Sequence, residues 1–356
     1  MARHHLWKIR FDERVPRTAV ENRRDAGNFT DKLLQTFELA EQFIARAERS
    51  QDDTGLIISN RVIGFYHLGM GDFAAARANI KKSVALYDPD RHRSLAALYG
   101  QDARVAGLAI LSQVMWLLGH PDQALASAKR AVDYAEDLKD EVSLTYALHH
   151  NAHLSTLRGD YDDARVAADR CVEIAEARGF PSWIATTRVI IGEIIAAQGD
   201  AAAGLVEAKA GFGLYEKLGA RYMVPQLRAT LARICAMAGA TEEGLDNVEN
   251  GLAEAAETGE QSSDPELLRL RAELTLLQAP DRSEQAEADL LAAIDRVKEQ
   301  RSRSFELRAA TDLARLWHAQ SKSDDARALL APVYEWFTEG FETADLQRAK
   351  ALLDTL

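Results

Sequence analysis

The stretch LRGDYDDARVAADRCVEIAEARGF, residues 157–180, decides the fold class of this chain. It indicates the end of one helix, a tight turn at Gly159 and a complete second helix. Gly159 accepts the turn conformation that a residue with a Cβ resists, and Asp160 is placed to cap the helix that follows. Ala164 and Cys171 lie two helical turns apart, so they share a face small enough for another helix to pack closely.

The same arrangement recurs along the chain. Six turn residues each have a small residue seven positions before them and another five positions after them: Gly71, Gly119, Gly159, Gly199, Gly239 and Ser321. A further hairpin fits between the last two, with a turn at residues 279–281 that is longer by two residues. A period of about forty residues with two helices per unit predicts an α-solenoid, because one hairpin cannot cover its own apolar face.

The spacing of the small residues resembles that of the tetratricopeptide repeat (TPR), although each unit is longer than the usual repeat of about 34 residues. The sequence therefore predicts an all-α fold, a right-handed α-solenoid of about seven TPR-like helical hairpins. Residues 345–356 are predicted to form a C-terminal capping helix. We expect an irregular segment over residues 1–29, with a remnant helix at residues 6–11, and a single superhelical domain over residues 30–356. Residues 32–49 would be the second helix of an incomplete first unit.

Composition narrows the classes of function. The net charge of −12 disfavours broad affinity for nucleic acid or anionic membranes, since both reward basic surfaces. No stretch approaches about 18 consecutive apolar residues, the length of a membrane span, and the N-terminus has no apolar signal region. Cys171 and Cys235 fall on predicted helix faces and do not suggest a disulfide framework. These features predict a cytoplasmic protein with neither nucleic acid nor membrane as partner.

Catalytic motifs are absent from the sequence. A phosphate-binding loop needs Gly, four residues and then Gly-Lys-Ser/Thr, and no such stretch is found. His149 and His153 are four residues apart on one helix face, a spacing that can ligate zinc, but the helix offers no third ligand within that turn. The sequence therefore predicts no catalytic residue, no metal site and no cofactor, and it favours a non-enzymatic role.

The first helices of the hairpins predict a binding groove, because the first helix of a TPR hairpin lines the concave side. The groove residues are Arg61, Trp116, His149, His153, Glu193, Arg233, Arg269, Glu273, Arg308, Arg315 and His318. Arginines make forked hydrogen bonds to carboxylates and phosphates, so the C-terminal part of this groove is expected to be basic and to suit an acidic peptide. The alternative is that these arginines pair with neighbouring acids such as Glu193, Glu266 and Glu273.

A second candidate lies where the period lengthens. Eight extra residues fall in LYDPDRHRSLAALYGQDARV, residues 86–105, where Pro89 cannot continue a helix. The polar residues of this connector are Arg91, His92, Arg93, Tyr99, Gln101 and Asp102. Long loops in compact domains are often functional, so a ligand or partner contact is one hypothesis. The other is a plain connector whose arginines pair with nearby acids.

Several phrases of the sequence carry a specific resemblance. They are YDPDRHRSLAALYGQD, LLGHPDQALA, GFPSWIA and the C-terminal ARALLAPVYEWFTEGFETADLQRAKALL. They resemble the helical-repeat tail of large bacterial proteins that join a class III adenylate/guanylate cyclase domain, a STAND ATPase and a TPR tail. The longer repeat is similar to the variant in maltose-type transcription activators. The resemblance covers roughly residues 30–356, and no position here matches a catalytic residue of the cyclase or the ATPase.

The resemblance implies a non-catalytic scaffold or regulatory module that binds a protein segment in bacterial signal transduction. A small-molecule sensor is one alternative. A regulatory tail separated from a nucleotide cyclase or STAND ATPase is the other.

Overall fold

The structure, a computed structural model, describes residues 29–356, with side chains from Leu39 onward except that of Tyr99. Within this range the chain forms helices and no β-strand. Seven hairpins follow one another: α2 (Asp53–Met70) with α3 (Phe73–Leu86), α6 (Ala103–Leu117) with α7 (Pro121–Leu138), α8 (Glu141–Arg158) with α9 (Tyr161–Arg178), α10 (Pro181–Ala197) with α11 (Ala201–Lys217), α12 (Val224–Ala238) with α13 (Thr241–Thr258), α14 (Asp264–Gln278) with α15 (Ser283–Gln300), and α16 (Arg303–Ala319) with α17 (Ser323–Glu335). The predicted all-α solenoid is confirmed.

The remaining helices lie at the ends and in the long interval. Helix α1 (Phe29–Ser50) packs on α2 as the predicted incomplete unit, and α18 (Ala344–Leu353) packs on α16 and α17 as the predicted cap. The long interval contains two short helices, α4 (Pro89–His92) and α5 (Leu95–Tyr99). The predicted remnant helix at residues 6–11 lies outside the described residues, and the single-domain boundary at residue 30 stays a prediction.

The turns follow the sequence pattern. All six predicted turn residues have a positive φ, between 61° and 110°. Asp160 is an exception to the expected capping, because its carboxylate accepts a hydrogen bond from Nε of Arg158 at 2.7 Å and caps no N–H of α9. Arg158 in turn donates to the carbonyl of Pro121 in the preceding hairpin. The Asp160 side chain therefore joins adjacent hairpins through Arg158.

The small residues let helices approach closely, as predicted. A Cβ on Gly192 of α10 would lie 2.5 Å from the carbonyl oxygen of Gly204 on α11, which is closer than real Cβ contacts. Ala164 and Cys171 on α9 are fully buried, and both cysteines are free thiols. Burial raises the pKa of the Cys171 and Cys235 thiols to about 11, so both are neutral packing residues at pH 7.

The superhelix closes on itself between its early and late hairpins. At the start of α16, the hydroxyls of Ser302 and Ser304 donate to the last carbonyls of α6. The carboxylate of Glu339 accepts from the first N–H groups of α7 at 3.1 Å. The carboxylate of Asp122 accepts from the N–H of Gly340 at 3.0 Å. The first helices of the hairpins therefore face a shared interior, and we call the contact of residues 120–123 with residues 336–343 the closure.

Candidate functional site

A cavity of about 260 Å³ lies in the interior, between the first helices of the later hairpins and α18. Its charged lining comes from five helices, α10, α12, α14, α16 and α18. The lining residues that carry charge are Glu193, Arg233, Glu266, Arg269, Glu273, Arg308, Asp312, Arg315, Asp345 and Arg348. Six of them belong to the groove predicted from the sequence, so the structure brings those six together at one place.

Glu266 of α14 is at the buried end of the cavity. Its side chain is 2% exposed and accepts hydrogen bonds from the guanidinium groups of Arg233, Arg269 and Arg308 at 2.9 to 3.3 Å. Burial alone would raise the pKa of Glu266. The three guanidinium groups outweigh burial and hold the pKa well below its usual range, so Glu266 is ionised at pH 7.

Each of these buried arginines has a further carboxylate. Arg233 also donates to Glu193, and Arg269 also donates to Asp312 at 2.7 Å and to Glu273 at 2.8 Å. The arginines and acids therefore form one continuous network across α10, α12, α14 and α16. Its geometry fixes the inner surface of the cavity, because a buried charge without a partner is strongly unfavourable.

Arg308 connects this network to more distant parts of the chain. Its Nε donates to the carboxylate of Asp345 at 2.7 Å, and its Nη2 donates to the carbonyl of Leu157 at 3.1 Å. Its guanidinium also lies 4.9 Å from the ring centroid of Trp116, a cation–π distance. The predicted groove residue Trp116 thus packs beside the cavity instead of lining it.

The mouth of the cavity carries two arginines that are more exposed. The side chain of Arg315 is 56% exposed and donates to Asp312 at 2.8 Å. The side chain of Arg348 is 62% exposed and donates to Asp345. Each makes one hydrogen bond to a carboxylate, and a guanidinium has five N–H donors. Each therefore has N–H groups that can donate to an oxyanion from outside.

The expected basic character of the groove is not found at the cavity. Five arginines line it, and five carboxylates line it as well. The alternative from the sequence, pairing of the arginines with nearby acids, describes the buried end. The positive charge that remains accessible is at Arg315 and Arg348, while the accessible acid is Glu273, whose side chain is 41% exposed.

The histidine cluster of α8 lies apart from the cavity. Nδ1 of His149 is 3.0 Å from the hydroxyl of Thr187 on α10, so His149 is buried between two helices instead of facing the groove. His153 does face the interior, where its two ring nitrogens contact Gln113 and Gln226 at 2.7 and 2.9 Å. Burial lowers the pKa of His153 to about 3, so its ring is neutral at pH 7 and connects α6, α8 and α12.

Two other predicted groove residues also lie away from the cavity lining. Arg61 is on α2, in the first complete hairpin. His318 is near the end of α16, where its Nδ1 is 2.8 Å from the hydroxyl of Ser323. The structure therefore does not bring the predicted groove together along its whole length.

The connector is stabilised by its own contacts. Arg91 pairs with Asp53 at 2.8 Å, and the buried ring of His92 accepts from the N–H of Asp88 at 2.9 Å. Asp102 is fully buried, because its carboxylate caps α6 and accepts from the hydroxyl of Tyr87. These contacts agree with the plain-connector alternative for three of the six residues.

The remaining connector residues are Arg93, Tyr99 and Gln101. Arg93 is exposed beside an open surface depression that Pro89 and Ser94 also line. Gln101 is half-buried, and the side chain of Tyr99 lies outside the described part of the chain. A partner contact at Arg93 stays a prediction.

Sequence reasoning missed four residues that shape the cavity. Asp345 and Arg348 belong to α18, which lies outside the repeat and therefore outside the projection of first helices. Asp312 is three residues before Arg315 on the same helix, so the spacing of an ion pair could have indicated it. Tyr161 lies just after the turn at residue 159, where no groove position was expected.

Among the residues that the structure describes, no group of three His, Cys, Asp or Glu side chains is placed to hold a metal ion. Across the same residues, every helix is too short or too polar to span a membrane.

Comparison with known proteins gives one sequence relative. No family model matches the chain. An uncharacterized protein of Rhizobium meliloti (strain 1021) is 25% identical over 258 residues, which cover 72% of this chain and 25% of that protein. The chain thus spans about a quarter of the length of the curated relative it matches.

Solved structures share the fold. A Rap protein complexed with Competence and Sporulation Factor has a TM-score of 0.61 at 14% identity, with 91% of this chain and 83% of that chain covered. Aspartyl phosphate phosphatase F from Bacillus subtilis has a TM-score of 0.52 at 14% identity, with 93% and 88% covered. The apo form of RapI has a TM-score of 0.51 at 11% identity, with 84% and 99% covered. At these identities the similarity is one of fold.

Proposed function

We propose that the chain is a non-catalytic, TPR-like scaffold or regulatory module that binds a segment of another protein in the interior cavity, in bacterial signal transduction. The observation that carries the proposal is the pair Arg315 and Arg348 at the mouth of a charged cavity. Each guanidinium is more than half exposed and uses one hydrogen bond to a carboxylate. Both can therefore make forked hydrogen bonds to an acidic group of a partner.

The size of the cavity limits what can enter. Its volume of about 260 Å³ lies just below the usual range of roughly 300–1,000 Å³ for small-ligand sites. We therefore expect an extended segment to place one or two side chains inside, with an acidic group at the two arginines. The Rap protein of the same fold was solved with a bound factor, which supports a ligand-binding role for this architecture.

A selection experiment tests the proposal. A phage-displayed library of random dodecapeptides is panned against the immobilised full chain. The same library is panned against Arg315→Ala with Arg348→Ala, and against a matched control, Arg165→Ala with Arg296→Ala. The control arginines are also half exposed and pair with a carboxylate on their own helix, but they lie outside the cavity.

We call Arg315→Ala with Arg348→Ala the cavity variant, and Arg165→Ala with Arg296→Ala the control variant. We expect panning on the unmodified chain and on the control variant to enrich peptides that contain Asp or Glu. We expect no such enrichment on the cavity variant. Equal enrichment by all three forms would contradict a site at these arginines. The exposed connector then becomes the place to look, and Arg93→Ala tests it.

A small anionic molecule is a second candidate, because the cavity volume is close to the lower bound of ligand sites. A thermal-shift screen with short dicarboxylates and nucleotides tests this alternative. A rise in Tm that disappears in the cavity variant would favour the sensor function over the peptide function.

A regulatory role beside other domains is supported by the Rhizobium meliloti relative, in which the matching region is a quarter of the protein. Association with a nucleotide cyclase or STAND ATPase and a cytoplasmic location belong to this proposal. We expect the purified chain to show neither cyclase activity nor hydrolysis of nucleoside triphosphates. Either activity in the purified chain would contradict the non-catalytic assignment.

A further inference from the structure

A carboxylate of the cavity lining already pairs with two arginines of the same lining. Asp345 is the second residue of α18, and its side chain is 9% exposed. One oxygen accepts from Nε of Arg308 at 2.7 Å, and the other accepts from Arg348 at the mouth. The chain thus presents to these two arginines the same chemical group that an acidic ligand would present.

We propose that Asp345 is an autoinhibitory occupant of the cavity, which an incoming anionic group displaces from Arg308 and Arg348. The proposal rests on the proposed function and adds regulation to that same site. Displacement of Asp345 releases α18 from the cavity wall.

Asp345 is easier to displace than Glu266, the acid at the buried end of the cavity. Glu266 accepts four hydrogen bonds from three arginines and lies within a 15-residue helix that is packed on both sides along the solenoid. Asp345 accepts two hydrogen bonds and lies on a ten-residue terminal helix. A helix of that length is marginal by itself in water, so the position of α18 depends on its contacts.

Release of α18 would also loosen the closure. The hydroxyl and the backbone N–H of Thr343 donate to the carbonyl of Gly340 at 2.7 and 2.9 Å, and the N–H of Gln347 donates to the carbonyl of Thr343 at 3.0 Å. Gly340 itself donates to the carboxylate of Asp122. The first turn of α18 is therefore joined by consecutive hydrogen bonds to the segment that holds the early hairpins. Ligand entry and opening of the superhelix are linked through these bonds.

Hydrogen exchange of the full chain tests the linkage without a ligand. The variant is Asp345→Asn, which keeps the shape of the side chain and removes its charge. The matched control is Asp354→Asn at the end of the same helix, whose carboxylate is 62% exposed and pairs with Lys350 at 2.9 Å outside the cavity.

We expect Asp345→Asn to raise amide exchange about tenfold or more in residues 344–353 and in residues 120–124. Asp354→Asn should leave residues 120–124 unchanged, and α10 and α11 should exchange normally in both variants, which shows that the solenoid is folded. Unchanged exchange of α18 in Asp345→Asn would overturn the proposal.

The affinity for a selected peptide is the second test of the proposal. A peptide selected on the unmodified chain should bind Asp345→Asn about tenfold more tightly, because its acidic group no longer competes with the charge of Asp345. Equal or weaker binding would refute the autoinhibition and leave the proposed function standing. Absence of enriched peptides on both forms would refute the proposed function and the autoinhibition together.

Discussion

Replacing Glu266 by glutamine tests whether the arginines of the cavity depend on one buried carboxylate. Glu266 is 2% exposed and receives four hydrogen bonds from three guanidinium groups. Removing one partner of a buried ion pair typically costs about 3–5 kcal/mol, because the remaining charge is uncompensated. Glutamine keeps the shape and one acceptor oxygen, and all three arginines keep other carboxylates. We therefore expect a loss near the lower limit, about 3 kcal/mol in the free energy of unfolding.

Urea unfolding at pH 7 measures this loss, with Glu273→Gln as the matched control. Glu273 lies on the same helix and also pairs with Arg269, but its side chain is 41% exposed, so its loss should stay below about 1 kcal/mol. The depressed pKa of Glu266 adds a pH signature. Its stabilisation is fully present above the ordinary pKa of 4.5 and is lost as pH falls through the folded value. A loss equal to that of the control would refute the idea of a shared buried counter-ion.

Three further substitutions have expected outcomes. Burial raises the pKa of Glu260 from 4.5 to about 7, so its stabilisation is complete below pH 4.5 and is lost as pH rises through 7. Glu260→Gln should therefore increase the free energy of unfolding by about 3 kcal/mol at pH 8 and by less than about 1 kcal/mol at pH 5, as measured by urea titration. Gly192→Ala should destabilise by about 1–3 kcal/mol in the same assay, because the new Cβ would meet the carbonyl of Gly204. Gly340→Ala should lower Tm and speed amide exchange in residues 120–124, since its Cβ would clash with Pro121.

Two control substitutions separate a steric clash from the other effects of replacing glycine by alanine. Gly213→Ala on α11 meets no atom within 4 Å and should stabilise by about 0.5–1 kcal/mol through helix propensity. Gly239→Ala has the same unfavourable positive φ as Gly340→Ala but no neighbour within 4 Å. Stabilisation by Gly192→Ala would contradict the close approach of α10 and α11. Equal exchange at the closure for Gly340→Ala and Gly239→Ala would contradict a clash with Pro121. A Glu260→Gln effect that does not vary with pH would contradict the raised pKa of Glu260.

The repeat could be predicted because its signals are local. Turn residues such as Gly159 and small residues such as Gly192 act within one hairpin, and a fixed spacing repeats them. The cavity residues on first helices, such as Arg233 and Arg269, could be predicted for the same reason, since they share a register with the turn.

The rest of the site depends on contacts that a repeat pattern does not contain. Asp345 lies on a helix outside the register, and its contact with Arg308 depends on how α18 packs back on α16. The hydrogen bonds between Glu339 and the start of α7 join residues more than 200 positions apart, so no local spacing indicates them. His149 was expected in the groove, but the approach of α10 buries it against Thr187.

The most direct test of the central claim is a double-mutant cycle between a selected peptide and the mouth of the cavity. Calorimetric titration would compare a peptide and its Asp→Asn or Glu→Gln form on the unmodified chain and on Arg315→Ala with Arg348→Ala. We predict a coupling energy of about 1 kcal/mol or more between the peptide carboxylate and the two arginines. A coupling energy of zero, with the peptide still bound, would contradict the claim that this cavity is the binding site.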